Sequence, residues 1–461
     1  MKIKIKKSSF RFSVVVLFCL VVINSIAVSK EYKVYDSYKL NSGTVNEYRL
    51  KNKIPVYINS EVQNQVAAVY IIVTGGTSVQ PAEFSGLEDS LFEMMTFGSK
   101  NYSYDKIQSL EYSTQSYVSH YTMYCGSAIY LNCINYYLDD MLPVLLDGFL
   151  NPSFKQKEYQ MMMNDIVQDL QRSDNDPETI LMREINRQIY KGHPLYTSSG
   201  VERKSLENIT IENMKKHHKE ILDASRIKVV AVGKFDIQSF VTALDNALGK
   251  LKHGKNGISI PENPPLNFPK EKIVLHHKAA KGAEMAARVF VSPAVTSEDY
   301  VAARITEDIF STIMFNVIRE KYGACYTPGS QIDSSYAPVG IDYGLRVSDM
   351  ENFSRYLKEA QDIMLAGKVI SSASEKGMTF DSLENSLEGY KNSYIIKKYS
   401  SQSTSAGIAS RIVSSILQFG DLTSADKIPQ RALDVTEDDV LRVFKKYWID
   451  GKSCWFEMRG E

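Results

Sequence analysis

Few side chains in this sequence are equipped for metal binding or acid–base work, and their spacing limits what each could do. The seven histidines include two adjacent pairs. His217 and His218 fall in a helical pattern, where neighbours point about 100° apart, and His276 and His277 fall in a strand pattern, where neighbours face opposite sides. Neither pair can chelate one ion unaided, and His120, His193 and His253 stand alone as structural or surface residues. Cys125, Cys133, Cys325 and Cys454 show no C-x-x-C spacing and no zinc-cluster pattern. Cys125 and Cys133 read equally well as a disulfide pair or as small core residues. No G-x-S-x-G, G-x-x-x-x-G-K-[ST] or G-x-G-x-x-G occurs, so serine-hydrolase and nucleotide-dependent chemistry have no foothold. Asp89 and Glu93 do fall four apart in the helical stretch Gly86 to Met95, hence on one face. By residue type this is a solvated face opposite the apolar stripe Leu87, Leu91, Met94 and Met95, with mutual repulsion of only ~0.2–0.5 kcal/mol. In Ile318-Arg-Glu-Lys-Tyr-Gly-Ala-Cys-Tyr326, Arg319 and Tyr326 could donate hydrogen bonds to a carbonyl or a developing oxyanion without a metal. Equally, they could be a surface arginine at a helix end and a packed aromatic.

The elements that must position these residues occur twice. Ile209-Thr-Ile-Glu212 leads into a helix and then the strand-like IKVVAVG, and Val435-Thr-Glu-Asp438 leads into a helix and then SCWFEM. Thr210 and Thr436 are the expected N-caps, 226 residues apart. The strand-like run Val66 to Val73 precedes the Asp89 helix, and Ala286 to Ser292 precedes a helix with Ile305, Ile309 and Ile313. A polar segment with several prolines, residues 252–270, separates the copies. Duplicated α+β domains over 30–251 and 271–461, each a mainly antiparallel sheet covered by helices, are the economical reading.

Composition agrees with two globular domains: 461 residues, 44% hydrophobic, with 54 basic against 54 acidic side chains. That zero net charge offers no basic footprint, so nucleic acid is not an expected partner. Lys2, Lys4, Lys6, Lys7 and Arg11 precede an apolar run from Val14 to Val22, and Ala27-Val28-Ser29 supplies small residues for cleavage. Residues 1–29 therefore read as a secretory signal peptide, too short in its apolar part to span a bilayer. Its removal takes away five basic and no acidic side chains, leaving a net charge of −5. The expectation is an exported chain, periplasmic or extracellular, with no membrane span after signal cleavage.

Several segments in order, Gly75 to Ser99, Phe149 to Phe154, His193 to Thr210, Val229 to Asp236 and Ile318 to Tyr326, resemble the insulinase/pitrilysin-type metallopeptidases, in particular a two-domain chain of the processing-peptidase type. That family carries an inverted zinc motif, H-x-x-E-H, on a helix opening with Gly-Leu, and a further Glu downstream. Matching Gly86-Leu87 puts Asp89 and Glu93 at the two histidine positions and Phe92 at the position of the catalytic Glu. A phenyl ring has no lone pair to act as a base. Asp165 is the expected counterpart of the distant Glu, with Asp169 the other candidate register. The set Asp89, Glu93 and Asp165 would suit Mg²⁺ or Ca²⁺ better than zinc. Arg319 and Tyr326 match the pair with which the family's second domain holds the substrate backbone.

The resemblance thus implies a chain with no catalytic residue and no metal or cofactor of its own, paired with a zinc-bearing homologous subunit or a second copy of itself. It would complete a site for peptide hydrolysis, the peptide adding as a strand to a sheet edge for which Val66 to Gly76 is the candidate. A stand-alone peptide-binding or structural protein is the alternative, and a peptidase with a shifted metal site a third.

Overall fold

The computed structural model describes residues 31–196, 200–254, 258, 265–333, 338–374 and 377–461. The expected signal peptide lies outside the described residues, as does part of the 252–270 segment.

The first half runs β1 (Asp36–Leu40), β2 (Gly43–Arg49), β3 (Pro55–Asn59), β4 (Val66–Thr74), α1 (Leu87–Phe97), α2 (Tyr104–Thr114), β5 (Tyr117–Thr122), β6 (Gly126–Ile134), α3 (Leu138–Leu150), α4 (Gln156–Ser173), α5 (Pro177–Ile189), α6 (Ile211–Ile221), β7 (Ile227–Val232) and α7 (Ile237–Ala247). The second half runs β8 (Ile273–His276), β9 (Met285–Val291), α8 (Tyr300–Met314), β10 (Cys325–Ile332), β11 (Val339–Val347), α9 (Phe353–Leu365), β12 (Lys368–Ser374), β13 (Gly377–Ser382), α10 (Leu383–Ser400), α11 (Ser405–Phe419), α12 (Ile428–Leu433), α13 (Glu437–Phe444) and β14 (Ser453–Arg459).

The strand order is β1-β2-β3-β7-β4-β6-β5 in the first sheet and β10-β11-β9-β14-β8 in the second. Read from the opposite end, the second sheet repeats the order of five of the first sheet's seven strands, β3-β7-β4-β6-β5. Each holds one parallel pair, β3 with β7 and β8 with β14, in an otherwise antiparallel array. The same sequence signal opens the helix that precedes β7 in one copy and β14 in the other. Thr210 caps α6 through the Asn213 N–H, and Thr436 caps α13 in a reciprocal capping box with Asp439. This is the mixed α+β architecture of two like domains, sheets covered by helices.

One sheet face of each domain packs on its own helices, but the other face is covered from across the molecule. Ile408, Ile412, Val413 and Leu417 of α11 pack on Tyr70, Ile72 and Val230 of the first sheet. Leu181, Ile185 and Ile189 of α5 pack against Val289, Phe456 and Met458 of the second. The halves therefore exchange helices, and neither buries both faces of its sheet alone.

The candidate peptide edge, Val66 to Gly76, is not an edge. β4 lies between β7 and β6, with Ala67 to Val73 all buried. A continuous apolar run is what a strand covered on both faces requires, whereas β5, one of the two edge strands, has the more polar sequence YVSHYT. All four cysteines among the described residues are buried thiols. Cys133 joins the first core, and the Cys325 thiol donates to the Leu345 carbonyl at 3.1 Å.

Candidate functional site

Helix α1 starts at Gly86, whose φ of 83° turns the chain into the helix. A side chain there would put its Cβ 2.5 Å from the Val201 backbone nitrogen, so the close approach requires glycine. From that start, Leu87, Leu91, Phe92, Met94 and Met95 enter the core, and Phe92 is fully buried.

Asp89 and Glu93 do not face open water. α1 is flanked by β5 and α4, which leaves both residues only partly exposed. His120 of β5 brings Nε2 to 3.8 Å from the Asp89 carboxylate. Burial pushes the His120 pKa down, opposed by Asp89. The Glu93 carboxyl is pushed up to about 7, first by burial and then by the charges of Asp89, Asp165 and Asp169. Both candidate registers on α4 thus act on Glu93. His120, isolated in sequence, stands beside Asp89 because strand pairing carries β5 alongside α1.

These residues do not fit zinc. Carboxylates stand where imidazoles would be needed, and one of them holds its proton up to about pH 7. Among the described residues no three His, Cys, Asp or Glu side chains group closely enough to hold a metal ion.

Sequence reasoning missed Glu88, a fully buried carboxylate on the core side of α1. Its Oε2 lies 3.0 Å from His217 Nε2, and the Ser127 hydroxyl donates to Oε1. Burial alone would raise its pKa, but His217, Ser127 and the nearby Arg226 hold it below the usual carboxylate value. The signal was available: Glu88 is three residues from Leu91 and four from Phe92, on the apolar side, where a charge demands a partner. The adjacent His218 points elsewhere, Nε2 lying 2.8 Å from the Phe149 carbonyl.

Arg319 and Tyr326 are brought together. α8 runs on into a π-helical segment, Phe315–Lys321, that carries Arg319, and Gly323 at φ 61° turns the chain into edge strand β10. Arg319 Nη1 donates to the Tyr326 carbonyl at 2.9 Å. Its guanidinium stacks 4.8 Å from the Tyr326 ring centroid and 4.9 Å from that of Phe315. Tyr326 remains 58% exposed, so its hydroxyl can meet a docked chain. Stacking pre-orients a guanidinium that keeps further N–H donors for a carbonyl oxygen.

A family model described as insulinase (peptidase family M16) matches residues 56–200, and one described as the peptidase M16 inactive domain matches residues 208–364. The chain belongs to the insulinase-like M16 family. An uncharacterized zinc protease of Rickettsia felis is 22% identical over 305 residues, which is 64% of this chain and 71% of that protein. A protease structure from Helicobacter pylori superposes with a TM-score of 0.76 at 18% identity, covering 92% of this chain and all of that one. The periplasmic protease PqqL of Escherichia coli gives a TM-score of 0.74 at 14% identity over 94% of this chain. This M16 chain spans about half, 47%, of PqqL. At these identities the two structures speak for the fold.

Proposed function

We propose that this M16 chain is an exported, non-catalytic partner subunit that supplies Arg319 and Tyr326 to a zinc-bearing homologue during peptide hydrolysis. The observation that carries the proposal is Phe92: an apolar ring, fully buried, stands where the family's helix places its water-activating carboxylate. Beside that loss, the Arg319–Tyr326 pair remains assembled and accessible. PqqL is about twice as long, this chain covering 47% of it, and on this reading a separate homologous subunit would supply the rest of the site here. Its periplasmic setting agrees with the basic-then-apolar N-terminus of this sequence. Among the described residues no helix is long and apolar enough to cross a membrane. Zinc would reside only in the partner.

Mixing the mature chain with its zinc-bearing homologue should accelerate peptide hydrolysis, and Arg319→Ala in this chain should cut that acceleration at least about tenfold, as removal of a carbonyl-polarising donor does. An unchanged rate with Arg319→Ala would overturn the role assigned to the pair. The free edges β5 and β10 also favour a second reading, a stand-alone peptide binder, since strand addition needs no partner subunit. Peptide binding without any stimulation of the homologue would favour it.

A further inference from the structure

Opposite Tyr326, on β11, stands Arg346, a residue that no sequence motif singled out. Its guanidinium lies 5.5 Å from the Tyr326 ring centroid, so Arg319 and Arg346 both stack on one exposed phenol. Among the described residues, four non-glycine residues have positive φ: Lys53, Gln115, Phe154 and Arg346. Lys53 lies in a turn, Gln115 ends α2, Phe154 precedes α4, and only Arg346, at φ 56°, sits within a strand. A left-handed backbone at a long side chain within a strand is strained, and such strain gathers at binding sites. The ladder shows it: Cys325 pairs with Val347 and Thr327 with Leu345, but Tyr326 and Arg346 between them do not pair. The strand has given up regular pairing at the one position that sets a second guanidinium beside Tyr326.

Among the described residues that guanidinium forms no ion pair, and Arg319 meets Glu320, at 3.5 Å. Arg346 and Tyr326 line a cavity of about 470 Å³ together with Met285, Leu345 and Pro177 and with two carboxylates at the start of α5, Asp176 and Glu178. Across it, Asp176 is already engaged in capping α5, accepting from the Thr179 N–H at 3.0 Å. Neither carboxylate forms an ion pair with Arg346 among the described residues, and a stacked guanidinium left without one can take a carboxylate from a docked chain.

We propose that Arg346 is a specificity-determining residue that selects peptides with an acidic side chain beside the segment held by Arg319 and Tyr326. This rests on the reading that Arg319 and Tyr326 contact peptide. The test uses the mature chain and fluorescein-labelled decapeptides of Thr and Val, carrying Glu or the isosteric Gln at each central position in turn, with affinities from fluorescence anisotropy. The wild type should prefer one Glu peptide over its Gln counterpart by about tenfold at low salt, a preference that shrinks as ions screen the pair. Arg346→Gly should bring the ratio to about one while the protein folds at least as stably, because glycine relieves the backbone strain. Arg319→Ala should weaken both peptides alike. A ratio unchanged in Arg346→Gly, with Arg319→Ala still weakening both, would overturn the role of Arg346 alone. Binding indifferent to Arg319→Ala, or absent in the wild type, would overturn the underlying reading as well.

Discussion

Glu93 holds its proton more tightly in the folded chain than in the unfolded one, because burial and three aspartates disfavour its charge. The sign follows directly. Below the ordinary value of 4.5 both states are protonated; between 4.5 and about 7 the unfolded state ionises first, so stability falls as pH rises through that window. Glu93→Gln removes the loss. Urea denaturation should find the variant more stable than wild type by about 1–2 kcal/mol at pH 8, after allowance for solvent screening, and nearly equal at pH 4.5. A variant no more stable at pH 8 would contradict this account of the carboxylate cluster. The absence of H-x-x-E-H was legible in sequence, and the resemblance at Gly86-Leu87 is what pointed to Asp89, Phe92 and Glu93. The company they keep was not, because Asp165, Asp169 and His120 reach them from other elements.

Among the elements, α6 is tied to α1 by the His217–Glu88 pair. Both partners are shifted toward their charged forms, His217 up and Glu88 down, despite the burial that opposes each. The Glu88 contribution is present above 4.5 and lost as pH falls through its lowered folded value. The His217 contribution is present below 6.5 and lost as pH rises through its raised folded value. The clasp is fullest between those two ordinary values. His217→Ala leaves a buried carboxylate unpaired and should cost about 3–5 kcal/mol, with the gap to wild type narrowing at both acid and alkaline pH. A pH-independent gap in denaturation curves would mean packing, not charge, holds the two helices. Sheet edges were misjudged at this scale: the apolar run of β4 suggested a good strand, but only pairing partners tell a central strand from an edge.

For the whole molecule, the exchanged helices decide cooperativity. Without α11, the face of the first sheet bearing Tyr70, Ile72 and Val230 would lie open, and without α5 the second would expose Val289 and Phe456. Residues 31–251 and 271–461 expressed as separate chains should each be insoluble or poorly folded alone and co-purify as one complex when made together. Recovery of either half as a stable, cooperatively unfolding monomer would show that the exchange contributes little.

Local pattern by itself determined the duplicated α+β order and the capped helices before β7 and β14, because periodicity and capping residues are written along the chain itself. Tertiary structure decided what spacing cannot: that Glu88 meets His217, that β5 rather than β4 is the free edge, and that Arg346 faces Tyr326. These are contacts between residues distant in sequence, brought together by strand pairing and by helices whose apolar faces had no cover within their own half.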